Sequence, residues 1–145
     1  MHAHAHAHVV LAAPIDCTVD LIIVLEAIDR ITFAFATLFL SESASRLDIN
    51  GSSTRVGFLT YSTEVGPGFN LSDHTDVDSL QSAIMSLSYV GGSTNTAAAL
   101  AHVRTTMLTS SAGDRSDVPN VVAVITGRPS DNMNYTKVSI NICIV

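Results

Sequence analysis

The residues best equipped for chemistry stand in two short runs. Gly91-Gly92-Ser93-Thr94-Asn95-Thr96 joins two glycines, which let the backbone turn where a side chain would clash, to hydroxyl and amide side chains that can cap a helix start. Ala97-Ala98-Ala99-Leu100 follows and favours that helix, so Ser93, Thr94 and Asn95 sit at the positive end of a helix dipole, on a loop that can face a ligand. The second run is Glu26, Asp29 and Arg30, directly after an apolar segment. Polar side chains in two such runs could face a ligand. They do not make an enzyme: the chain has no nucleophile elbow, no Walker loop and no zinc-ligand cluster outside its N-terminal repeat. Ser93 and His102 are separated by some two helical turns, which argues against a Ser-His pair. The Gly91-Gly92-Ser93 helix start could receive a phosphate, making a nucleotide- or phosphate-binding α/β module the alternative reading.

The elements that must carry these runs are legible from hydrophobic pattern. Val19-Asp20-Leu21-Ile22-Ile23-Val24-Leu25 reads as a central parallel strand buried on both faces, which places Glu26 and Asp29 at the carboxyl edge where open α/β sheets bind ligands. A core helix is predicted over 31–47, far too short in its apolar part to span a bilayer. Arg55 to Tyr61 is a second strand, and Gly66-Pro67-Gly68 turns into a short third one around Phe69-Asn70-Leu71. Val77, Leu80, Ile84 and Leu87 mark a helix over 76–87, and Leu100, Val103 and Met107 one over 96–108. Asn120 to Thr126 is predicted as another fully buried strand. Alternating strands and helices imply a three-layer α/β sheet in one domain. Composition agrees: 145 residues with 47% hydrophobic and 14% charged side chains are globular rather than disordered. A net charge of -6 with scattered Lys and Arg carries no nucleic-acid footprint.

In family order, the Asp20-to-Leu25 strand, Leu47-Asp48-Ile49, Arg55-Val-Gly-Phe-Leu-Thr-Tyr61, Tyr89-Val-Gly-Gly-Ser-Thr-Asn-Thr96 and Val121-Val-Ala-Val-Ile-Thr126 resemble a von Willebrand factor type A (vWA) domain of the type VI collagen and integrin inserted-domain kind. The resemblance covers about Cys17 to Asn132 and implies a Rossmann-like fold, here lacking the family's last strands and helices. It implies a non-enzymatic, adhesive, extracellular role toward a matrix or cell-surface protein. The family's metal-ion-dependent adhesion site (MIDAS) uses Asp-x-Ser-x-Ser after the first strand, a Thr in the glycine loop and an Asp after the fourth strand, around Mg²⁺ or Mn²⁺. Here Glu26 stands at the first Asp, Ile28 and Arg30 at the serines, and Thr94 at the threonine, while Thr126 runs straight into Gly127-Arg128 with the expected Asp missing. Glu26 and Thr94 remain as metal ligands, with Asp29 and Asp131 as distant substitutes, and Arg30 would bring positive charge if it points inward. The expectation is a metal site absent or very weak, and recognition by Glu26, Asp29, Arg30, Ser93, Thr94 and Asn95. A non-functional fragment is a further alternative.

The flanks divide off from this domain, taken as 16–136. Residues 1–15 open with the repeat His2-Ala3-His4-Ala5-His6-Ala7-His8 and read as a flexible leader or tag, although alternating imidazoles can share a transition metal. Val9 to Ala13 is too short for the apolar region of a signal peptide, so secretion rests on the resemblance, as do the acceptor triplets at Asn50, Asn70 and Asn134. The resemblance places Cys17 at one end of a family disulfide; Cys143 is its available partner, and pairing stays open. Residues 137–145 alternate Val138, Ile140, Ile142 and Ile144 with polar residues and read either as an added edge strand beside 120–126 or as translated intron.

Overall fold

The computed structural model describes residues 18–131, so the leader, both cysteines and the 137–145 tail lie outside the described residues. Four strands form one sheet in the order β3-β2-β1-β4. Strand β1 (Val19–Glu26) is the centre, pairing in parallel with β2 (Thr54–Tyr61) on one side and β4 (Asn120–Ile125) on the other. Strand β3 (Val65–Phe69) returns antiparallel along β2. It forms earlier than the Phe69-to-Leu71 position predicted, because Thr60 Oγ1 donates to the Pro67 carbonyl at 2.7 Å and folds the Gly-Pro-Gly segment into the sheet itself.

Successive residues of a strand face opposite sides, so β1 feeds two cores. Ile23 and Leu25 point with Val56 and Phe58 toward α1 (Arg30–Ala44) and α2 (Val77–Met85), meeting Phe33, Ala44, Leu80 and Ile84. Ile22 and Val24 point the other way with Leu59 and Tyr61, against Ala99, Val103 and Met107. The latter belong to α3 (Thr96–His102) and to the wider turn over Val103–Met107, in which Leu108 N–H donates to the Val103 carbonyl at 2.9 Å. This is the three-layer arrangement anticipated from the pattern, with helices shorter than predicted. Asp29 caps α1 by accepting from the Ile31 and Thr32 N–H groups, and Asp76 caps α2 by accepting from Ser79.

Strand β4 corrects the sequence reading. It was expected to be fully buried, yet its residues are half-buried and Ile125 is exposed. Among the described residues β4 has a strand neighbour on one side only, so an apolar run of central-strand type lies at a sheet edge.

The amino end of β1 is held by an ion pair that pattern reading did not anticipate. Asp20, wholly buried, takes Arg115 Nε at 2.8 Å and Nη2 at 2.6 Å on Oδ1, and Arg115 N–H at 2.8 Å on Oδ2. The same guanidinium donates to the carbonyls of Val19, Ser52 and Ser53, tying β1, the β2 entry and the β4 approach together.

Candidate functional site

Glu26 ends β1 at the carboxyl edge, one residue before Ala27 N–H closes onto the Tyr61 carbonyl at 2.8 Å. The glycine loop reaches it from the far side. Asn95 N–H donates to the Ser62 carbonyl at 2.9 Å, Asn95 Nδ2 to the Thr63 carbonyl at 3.1 Å, and Ser93 N–H to Thr63 Oγ1 at 3.0 Å, which fastens the loop over the end of β2. Gly92 is required by that close approach, since a Cβ there would collide with the Thr63 hydroxyl. Asn95 also caps α3 through Ala98 N–H, and Thr96 meets the Tyr61 hydroxyl at 3.0 Å.

So held, Thr94 is buried against Glu26, and its Oγ1 donates to Glu26 Oε1 at 2.6 Å. The segment after β4 supplies the other partners. Thr126 Oγ1 and Gly127 N–H donate to Oε2 at 2.7 and 3.0 Å, and Arg128 Nε donates to Oε1 at 2.8 Å. Arg128 also reaches the Gly92 carbonyl through Nη2 at 3.2 Å. Asp131 completes the bracket: its carboxylate accepts from Thr94 N–H at 3.0 Å, and its own N–H donates to the Thr94 carbonyl at 2.8 Å. Burial pushes the Glu26 carboxyl up, but the bonds from Thr94, Thr126, Gly127 and Arg128 outweigh it and hold the group below its ordinary 4.5. Glu26 is thus a buried anion whose counter-charge is a guanidinium of its own chain.

Glu26 and Thr94 meet; the rest of the anticipated constellation spreads along the rim. Asp29 is committed to the α1 start, with Thr32 Oγ1 donating to it at 2.7 Å, and its carboxyl is held low chiefly by the Thr32 bonds. Ser93 and Asn95 are engaged on Thr63. Arg30 needs correction: it does not bring charge to Glu26 but lies 5.2 Å over the Tyr89 ring, whose edge packs on Phe33. Arg128 holds the cationic position instead. In the sequence Arg128 reads only as the mark of a missing Asp; what gives it meaning is the β1–β4 pairing that sets it level with Glu26. Thr126 and Thr63 were likewise missed. His102 is half-buried at the C-terminal end of α3, away from the loop. The N–H groups of Ser93, Thr94, Asn95 and Ala98 all have internal acceptors, which weakens the phosphate-binding alternative.

A mostly parallel sheet between helical layers, with a polar cluster beyond the carboxyl ends of its parallel strands, places the chain among the open α/β domains. The model of the von Willebrand factor type A domain matches residues 20–143, and the chain belongs to that family. Rat von Willebrand factor is 30% identical over 117 residues, covering 78% of this chain and 27% of its own length. Mouse matrilin-1 is 32% identical over 121 residues, covering 79% of this chain and 24% of its own. The chain therefore spans about a quarter of the length of these two relatives. Among solved structures, proximal thread matrix protein 1 from the mussel byssus with a zinc-occupied MIDAS motif superimposes with a TM-score of 0.75 at 18% identity, covering 83% of this chain and 34% of that one.

The fold family thus raises the question of how well the donor set suits a divalent cation. The two Glu26 carboxylate oxygens already accept four hydrogen bonds, and a guanidinium nitrogen stands 2.8 Å from one of them. Among the described residues no group of three or more His, Cys, Asp or Glu side chains converges. As arranged, these residues do not fit a hard cation, which wants about six oxygens and repels a neighbouring positive charge.

Proposed function

We propose that this domain binds a matrix or cell-surface protein without catalysis, through the loops at its carboxyl edge, and that an internal ion pair stands there in place of a bridging cation. The Glu26–Arg128 contact at 2.8 Å carries the reading. It neutralises Glu26, buried at this edge, and, with Thr94 and Thr126, ties β1, the glycine loop and the β4 exit together. The surface left for a partner is the rim: Asp29, Arg30, Ser93 and Arg128 are exposed, Asn95 is half-buried, and Glu26 and Thr94 support them from below. Kinship with von Willebrand factor and matrilin-1 supports an extracellular setting.

The test is solid-phase binding of the chain to a panel of purified matrix proteins, once in millimolar Mg²⁺ and once in EDTA. Binding is expected to be equal in the two buffers and reduced by Ser93→Trp on the rim. A partner released by EDTA and lost in Thr94→Ala would contradict the proposal.

A further inference from the structure

Strand β4 has the composition of a strand with two neighbours, and β1 is the one it has among the described residues. Asp20 N–H donates to the Pro119 carbonyl at 3.0 Å, so alternation along the strand turns the backbone N–H and C=O of Val122 and Val124 away from β1. On one face Val122 and Val124 join the core beneath α3. Val121, Ala123 and Ile125 face the other way and belong to neither core, with Ile125 37% exposed. At the amino end of the strand, Asn120 Oδ1 is buried with no hydrogen-bond partner among the described residues. Such an orphan marks a place where a donor is owed.

We propose that this edge is the docking site of the chain's own residues 138–144, added as a further strand antiparallel to β4. Anchorage and reach set the direction. Asp131 is tied to Thr94 at the carboxyl edge by two hydrogen bonds. A parallel neighbour would have to begin level with the amino end of β4, a strand length of about 20 Å away. Residues 132–137 reach about 20 Å only when fully extended, which leaves nothing for the arch over a sheet face that a parallel crossover needs. Antiparallel entry needs only a sideways step from Asp131 to the end of β4.

Side-chain pattern sets the register. Val138, Ile140, Ile142 and Ile144 alternate with Ser139, Asn141 and Cys143. Placed opposite Ile125, Ala123 and Val121, the residues Val138, Ile140 and Ile142 extend the apolar face that β4 leaves uncovered. The polar set then falls on the face of Asn120, with Cys143 directly across from it and Asn141 on its diagonal. Asn141 Nδ2 is thereby a donor within reach of the orphaned Asn120 Oδ1. Covered in this way, β4 no longer offers an open template to other chains.

The experiment uses the full chain carrying Cys17→Ser, which leaves Cys143 as the single native thiol. Either Asn120→Cys or Val124→Cys is added, and each protein is oxidised in glutathione buffer at low micromolar concentration. Directly opposed antiparallel residues lie within disulfide range, and residues four positions along do not. Asn120→Cys is expected to close an intramolecular disulfide with Cys143, mapped by mass spectrometry, roughly tenfold more completely than Val124→Cys. Preferential closure by Val124→Cys would mean a parallel strand, equal or absent closure no fixed docking, and disulfides only between molecules a second copy on the edge; each overturns the proposal. Amide hydrogen exchange at Val122 and Val124 gives a readout free of added thiols. It is expected to be roughly tenfold or more faster in Ile140→Asp/Ile142→Asp than in the parent, with Ile23 unchanged as the control for an intact core. Equal exchange at Val122 and Val124 in the two chains overturns the proposal.

Discussion

Replacing Arg128 by alanine removes the guanidinium that sits 2.8 Å from Glu26 Oε1 and 3.2 Å from the Gly92 carbonyl. Breaking a fully buried ion pair by deleting one partner costs about 3–5 kcal/mol, whereas an exposed pair is worth about 0–1. This one lies between, since the Glu26 side chain has no exposure and that of Arg128 has 39%. Glu26 also keeps its donors from Thr94, Thr126 and Gly127. The expected loss is about 1.5–2.5 kcal/mol, or roughly 5–10 °C in Tm for a domain of this size. Glu26→Gln keeps the shape but turns one acceptor into a donor facing other donors, at about 2–3 kcal/mol. If the two residues act as a unit, Glu26→Gln/Arg128→Ala should cost less than the sum of the singles by about 1–2 kcal/mol. Thermal and urea unfolding followed by far-UV circular dichroism measures all three variants. Additivity within about 0.3–0.5 kcal/mol would refute the claim that Arg128 is the counter-ion on which Glu26 depends.

Other outcomes follow from the same contacts. Arg115→Ala should be the more damaging arginine deletion, about 3–5 kcal/mol, because it strands a wholly buried Asp20 and the Val19, Ser52 and Ser53 carbonyls; urea unfolding beside Arg128→Ala would rank the two. Glu26 has a folded value below its ordinary 4.5, so the unfolded chain takes up the proton first on acidification. Its stabilisation is complete above that ordinary value and lost as the pH falls through the depressed one, so Glu26→Gln should flatten the acid limb of stability against pH, and parallel limbs would contradict this. Gly113→Ala should lower Tm, since Gly113 has φ +94° and a Cβ there would crowd the Ser72 backbone; an unchanged Tm would count against that strain.

The layers of this fold were legible because they rest on period and composition. The apolar run of β1 and the helical spacing of Leu80 and Ile84 each survive as read. What pattern could not show was pairing between residues far apart in the chain. Arg115 reaches Asp20 and Arg128 reaches Glu26 only because β1 and β4 are adjacent in register, Asp20 beside Asn120 and Leu25 beside Ile125. Strand β4 misled for a related reason: residue type reports the burial a strand is suited to, and neighbours decide the burial it has. At the site, Thr94 was found because a glycine turn announces it locally. Arg128 was overlooked because its meaning lies in a partner about a hundred residues away.

Calorimetric titration of the chain with Mg²⁺ and Mn²⁺ tests most directly whether the guanidinium has taken the cation's place. No saturable heat is expected with either metal up to millimolar concentration, in the parent and in Thr94→Ala alike. Stoichiometric micromolar binding by the parent, abolished in Thr94→Ala, would contradict it.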